Sequence, residues 1–246
     1  IYSQIRIMEI EVINFCKSLY KAPEESCGNM TYGGTESILL ACYAYREYGK
    51  KEKGIHNPNI VCFNTVHPAF LKACNYFGIE ARLYDSLYEY KRGIDSNTIM
   101  IVASAPEYAY GTIDPIEKIN KIALDNKVPL HIDACMGGFL LPFSDFYNYI
   151  NFSLKGITSI SMDTHKYGYA PKGSSLILYR HFKYKRHQHY VNKDWCGGVY
   201  STPTMMGSKN GGIIAATWAA MLSIGLNGYR KYTVEITSNL NYIKKN

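Results

Sequence analysis

Ser159-Ile-Ser-Met-Asp-Thr-His-Lys-Tyr-Gly168 runs from a short apolar strand straight into a polar, basic loop. The strand pattern covers Thr158–Asp163, and Lys166 comes just after it. A lysine in that position is unusual, because lysine is rarely buried without a partner. Desolvation lowers the pKa of such an amine and lets it attack an aldehyde. His165, immediately before it, is placed to contact a cofactor phosphate or a substrate. The competing reading is a solvated Lys–Tyr loop with no chemistry.

Upstream lies Pro129-Leu-His-Ile-Asp-Ala-Cys135, a second apolar strand that ends on a carboxylate. An Asp there is costly unless it meets a cation or donors. A protonated pyridine nitrogen is one such partner, and it turns the ring into an electron sink. Capping of the following loop is an equal alternative. One helix-and-strand unit separates Asp133 from Lys166.

The same alternation extends outward. Strands are expected at Ile60–Thr65, Ala81–Tyr84, Thr98–Ser104, Pro129–Ala134, Thr158–Asp163 and Ser175–Arg180, all short and rich in Val, Ile and Leu. Helices are expected at Gln4–Tyr20, Thr35–Tyr48, Pro68–Phe77, Asp114–Asn126 and Gly211–Ile224. Asp114, Pro115 and Glu117 read as an N-cap, a first-turn proline and a capping box. This order predicts an α/β fold with a mostly parallel (mixed) sheet flanked by helices. Ligands in such folds lie at the carboxyl ends of the strands.

Two further stretches fall at that edge. Thr31-Tyr-Gly-Gly-Thr-Glu-Ser37 precedes an apolar helix. Glycine backbone approaches a ligand closely, and a helix N-terminus favours an anion, so Gly34 and Thr35 read as a phosphate cup. A Gly–Gly turn with Thr35 as N-cap fits as well. His67 follows the strand at Ile60–Thr65 and is placed to stack on a flat ring, or to serve a structural role.

Composition narrows the class. The chain has 246 residues, 47% hydrophobic and 19% charged, which suits a globular chain with one large core. The net charge of +7 is modest. The densest basic run, Arg180–His189, reads as a solvated loop, and no nucleic-acid motif accompanies it. Seven cysteines without a CxxC fit neither a zinc ribbon nor a thioredoxin, and a reducing compartment is the simplest account. His131, Asp133 and Cys135 alternate on one strand, but no second ligand pair has zinc-site spacing, so no metal is expected. No signal peptide and no long uncharged apolar span are found. The chain opens inside an amphipathic pattern and stops within a helix begun at Tyr229, so it is expected to be part of a longer protein.

These stretches resemble the group II pyridoxal-phosphate (PLP) decarboxylases of aspartate-aminotransferase fold, and within them the sphingoid-phosphate lyases. Residues 26–38, 73–78, 128–140, 156–175 and 195–204 carry the likeness, and the Asp163–Gly173 run is the part specific to the lyases. The resemblance implies a PLP-dependent transferase-like large domain over residues 1–228. Residues 229–246 would begin a connecting helix to a C-terminal small domain. It implies Lys166 as the Schiff-base lysine, Asp133 as the ring-nitrogen partner and His67 as the stacking residue. It also implies Gly34 and Thr35 as phosphate ligands, with His165 close to the cofactor. Thr202 would reach the phosphate from the partner subunit of a homodimer, and Lys172 would lie near the substrate.

The reaction so implied cleaves the Cα–Cβ bond of a phosphorylated sphingoid base, giving a long-chain aldehyde and phosphoethanolamine. The alternatives are an amino-acid decarboxylase and a truncated relative that binds PLP without turnover. The resemblance implies the cytosolic face of the endoplasmic reticulum membrane, through an anchor lying outside this chain. Four departures stand out. Arg82–Asn97 is shorter than the family pattern, which suggests a lost helix. Tyr32 replaces a usual Ser, Tyr110 stands where His is common, and Lys209-Asn210 stands for Arg-Pro.

Overall fold

The computed structural model describes residues 2–144 and 150–245. Seven strands form one mixed sheet: β1 (Cys27–Thr31), β2 (Asn59–Phe63), β3 (Glu80–Tyr84), β4 (Thr98–Ser104), β5 (Leu130–Asp133), β6 (Ile157–Met162) and β7 (Ser175–Tyr179). Their order is β1-β7-β6-β5-β4-β2-β3. Strands β6, β5, β4, β2 and β3 run parallel, and β7 lies antiparallel to both neighbours. The carboxyl ends of β1, β2, β4, β5 and β6 therefore meet at one edge of the sheet.

Side-chain alternation divides the core in two. On β7, Leu176 and Leu178 join one cluster, while Ile177 and Tyr179 join the other. The first cluster is covered by α1 (Ser3–Leu19), α5 (Ile116–Asn126) and α7 (Gly211–Lys245), the second by α2 (Gly34–Lys53) and α3 (Ala69–Phe77). All seven residues of β4 are buried, as a central parallel strand with both faces covered requires. The result is a three-layer α/β/α sandwich, the expected class.

Each expected strand and helix is present, with ends displaced by a few residues. Strand β1 was not expected: Cys-Gly-Asn-Met-Thr is too polar to read as a strand. Neither was the two-stranded ribbon of β8 (Tyr190–Asn192) and β9 (Tyr200–Thr202). The shortened stretch after Arg82 keeps a helix, α4 (Leu87–Arg92), capped by the Ser86 hydroxyl at the Glu89 amide. A short helix, α6 (Phe182–Lys185), follows β7.

The capping box expected at α5 does not form. Pro115 is the N-cap and makes no side-chain cap bond. The Asp114 carboxylate instead accepts the Ser104 amide at 2.7 Å, and the Asp114 amide donates to the Ser104 carbonyl. The end of β4 outcompetes the helix for this residue.

Helix α7 breaks just after the expected end at Ile224 and continues as a second helical segment to Lys245. It is kinked at Gly225, whose φ of 61° and ψ of 176° suit glycine alone. Gly211–Lys245 is long and apolar enough to cross a membrane by length and composition, which the sequence reading did not recognise. Five of its side chains, Ile214, Thr217, Met221, Tyr229 and Thr233, are buried.

Candidate functional site

A cavity of about 500 Å³ opens at the carboxyl edge of the sheet. Tyr32–Glu36 enter it from the β1–α2 junction, His67 from beyond β2, and Cys135 from beyond β5. Asp163, His165 and Lys166 enter from the end of β6, and Met205 and Met206 from the loop after β9. A smaller recess shares His67, Cys135 and Lys166 and adds Ser104, Glu107 and Asp133. Gly34, Thr35, His67, His165, Lys166 and Asp133 are thus gathered from four parts of the chain.

Helix α2 begins with Gly33 as N-cap, so Thr35 is in the first turn and is not the cap. That turn faces the cavity with the positive end of the helix. Gly34 is required by close approach. A Cβ there would lie 2.8 Å from Asp163 Oδ1 and from Cys135 Sγ. Glu36 braces the turn: its carboxylate accepts the Tyr32 amide at 2.7 Å and the Met206 amide at 3.3 Å. The latter bond holds the methionine loop against the cavity. Tyr32 is tied at its hydroxyl to Ser208 and Asn210.

Lys166 Nζ lies 3.0 Å from Asp163 Oδ2. Burial works against the lysine's charge, but the Asp163 carboxylate outweighs it and holds the ammonium above the usual lysine pKa. The solvated-loop reading of Lys166 therefore gives way to a partly buried ion pair. Asp163 is 2% exposed, and its Oδ1 has no hydrogen-bond partner. His165 Nε2 is 3.6 Å from Oδ2, while its Nδ1 accepts the Ser174 amide at 3.2 Å. His67 Nδ1 likewise accepts the Ala69 amide, which fixes the ring.

Of the two sequence readings of Asp133, the structure shows the loop cap. Its Oδ1 caps the next loop through the Cys135 amide at 3.0 Å, and the carboxylate borders the recess. Both ring nitrogens of His131 are taken by serine hydroxyls, Ser159 at 2.7 Å and Ser161 at 3.2 Å. Among the described residues no group of His, Cys, Asp and Glu is arranged to hold a metal ion.

Two expected residues lie apart. Thr202 is buried within its own loop, where its hydroxyl meets the Thr204 and Met206 carbonyls, and it does not line the cavity. Lys172 is exposed and lines neither cavity. Of the departures, Lys209 pairs with Glu9, and Tyr110 is exposed while its amide donates to Glu107. Glu36, Asp163, Met205 and Met206 belong to the cavity but had been given no role. Asp163 was legible, since a second carboxylate three residues before Lys166 on a strand end needs a cation.

All of residues 1–246 match the family model described as the pyridoxal-dependent decarboxylase conserved domain. The chain belongs to this family. Sphingosine-1-phosphate lyase 1 of Rattus norvegicus is 45% identical over 256 residues, covering 99% of this chain and 45% of that protein. Sphingosine-1-phosphate lyase of Drosophila melanogaster is 48% identical over 250 residues, covering 97% of this chain and 46% of that protein. The chain thus spans less than half the length of these relatives.

Among solved structures, the Burkholderia pseudomallei sphingosine-1-phosphate lyase superposes with a TM-score of 0.90 at 39% identity, covering 94% of this chain and 57% of that one. A Lactobacillus brevis glutamate decarboxylase superposes at 0.87 and 23% identity, covering 99% and 60%, which speaks to the fold alone. The family's cofactor is pyridoxal phosphate, and the residues fit it. An unpartnered buried carboxylate oxygen, a lysine beside it and a glycine that leaves room at a helix N-terminus supply the contacts such a molecule needs.

Proposed function

We propose that this chain forms the cofactor-holding part of a PLP-dependent carbon–carbon lyase. Its substrate would be a phosphorylated sphingoid base such as sphinganine phosphate. The products would be a long-chain aldehyde and phosphoethanolamine. The observation that carries this reading is the 45–48% identity to curated sphingosine-1-phosphate lyases along nearly the whole chain, against 23% for the glutamate decarboxylase of like fold.

The bound cofactor supplies an electron sink for the pair left when the Cα–Cβ bond breaks. The chain's own residues do the rest. The first turn of α2, with Gly34 and Thr35, holds the phosphate. His67 would stack on the ring, and the Asp133 carboxylate would accept a hydrogen bond from the ring N–H and so keep that nitrogen protonated. Lys166 would be the lysine that holds the cofactor aldehyde, and it can do so only as the neutral amine. Asp163 Oδ2, 3.0 Å away, is the group that holds the proton on its Nζ. His165 borders the phosphate side.

On the same reading Thr202 serves the active site of a partner subunit in a homodimer, and Lys172 lies near the substrate. Residues 1–228 form the cofactor domain and 229–246 lead toward another. The whole protein acts at the cytosolic face of the endoplasmic reticulum membrane. The test is incubation of the whole protein with PLP and sphinganine phosphate. Release of a long-chain aldehyde is expected. Carbon dioxide from glutamate with no aldehyde would replace the lyase reading with a decarboxylase one, and neither product would favour a non-catalytic relative.

A further inference from the structure

Beneath Asp133, between β5–β6 and α2, runs a buried column of hydroxyls and one imidazole. The Tyr45 hydroxyl meets Thr158 Oγ1 at 2.6 Å and Ser159 Oγ at 2.8 Å. Ser159 Oγ meets His131 Nδ1 at 2.7 Å, and His131 Nε2 meets Ser161 Oγ at 3.2 Å. Ser161 Oγ reaches Asp133 Oδ1 at 3.3 Å. Tyr45, His131, Ser159 and Ser161 are 0% exposed. Such groups are costly unless every donor and acceptor is used.

Each member has one proton to give along the column, so the hydrogen bonds must point one way. Asp133 as a carboxylate only accepts, so Ser161 donates to it. Ser161 must then accept from His131 Nε2–H and from the Cys135 thiol at 3.5 Å. His131 Nδ1 bears no hydrogen in that arrangement and accepts from Ser159, which accepts from Tyr45. The opposite polarity would free Thr158 to donate to the Leu130 carbonyl, 3.0 Å away, while Tyr45 donates to Thr158. It would leave Asp133 Oδ1 with the Cys135 amide alone. A hydrogen bond to a charged acceptor is roughly twice as strong as one to a neutral acceptor. The polarity toward Asp133 wins.

We infer that this column is a positioning device: it holds His131 as the Nε2–H tautomer and, through Ser161, fixes the Asp133 carboxylate for the ring nitrogen of the cofactor. Burial also keeps His131 neutral, with its pKa lowered to about 3. The column does not touch the cofactor and is not itself catalytic. The inference rests on the reading of Asp133 as the ring partner.

The experiment has two parts. In the intact, cofactor-free protein labelled with nitrogen-15 histidine, the His131 ring shifts should report hydrogen on Nε2. Hydrogen on Nδ1, or a mixture of tautomers, would overturn the inference without any variant having to fold. PLP dissociation constants are then compared, with circular dichroism to check folding. Ser161→Ala should weaken binding about 10-fold or more. Ser159→Ala should mix the His131 tautomers and weaken binding less. Unchanged affinity in a folded Ser161→Ala protein would sink the proposal. If the native protein binds no PLP, the reading of Asp133 fails, while the tautomer result still stands as the test of the column.

Discussion

Replacing Asp163 by Asn removes the charge that faces Lys166 while keeping the shape of the side chain. In the native site two effects oppose each other at Nζ: burial disfavours the ammonium, and the Asp163 carboxylate at 3.0 Å favours it more. The substitution leaves burial to act alone. A charge-assisted hydrogen bond of this kind contributes about 1.5–3 kcal/mol. The Lys166 pKa in Asp163→Asn should therefore fall relative to the native protein, since burial is left unopposed. The assay is the pH dependence of borohydride-trapped pyridoxyl incorporation at Lys166, read by peptide mass mapping. The midpoint should move to lower pH in the variant. An unmoved or raised midpoint in a folded variant would refute the assignment of Asp163 as the group that governs this amine.

Gly34→Ala places a Cβ 2.8 Å from Asp163 Oδ1 and Cys135 Sγ, so the carboxylate or the helix must shift. We expect about 1–3 kcal/mol of destabilisation, from overpacking, and a clear loss of PLP affinity by titration; native-like affinity would count against this turn as the phosphate site. Asp114 is raised by burial to a pKa of about 6, from an ordinary 3.8. A raised carboxyl contributes stability that is present in full below its unfolded pKa and lost as pH rises through the folded one. Asp114→Asn keeps an acceptor for the Ser104 amide, so urea unfolding should show little difference from the native chain near pH 4. At pH 7 the variant should gain up to about 3 kcal/mol. Equal differences at both values would show that burial does not govern this group.

Much of the fold was legible because buried parallel strands are written as short apolar runs, and β4 was read to the residue. Of the antiparallel elements, β7 was read in the same way, but β1 and the ribbon of β8 and β9 were not. β1 carries Cys, Gly, Asn and Thr, and it is a strand only because β7 pairs with it. The ribbon of β8 and β9 carries no alternation that a buried face would impose. At the site, Lys166, Asp133, His67 and Gly34 stood out because each is an unusual residue just past a strand or a turn. Asp163 and Glu36 sat inside the same motifs but gain their meaning from partners: Lys166 for the first, the Met206 amide for the second. Contacts of the latter kind, between residues 36 and 206, leave no trace in spacing. The Asp114 reading failed for the same reason. A capping signature is local, and the amide it lost to lies ten residues upstream on β4.

The claim on which everything else depends is that Lys166 is the cofactor lysine. The protein should be incubated with PLP, reduced with borohydride, digested and mapped by mass. The account predicts a pyridoxyl group on Lys166, lost in Lys166→Ala. An adduct confined to other lysines, or none on a folded protein, would contradict it.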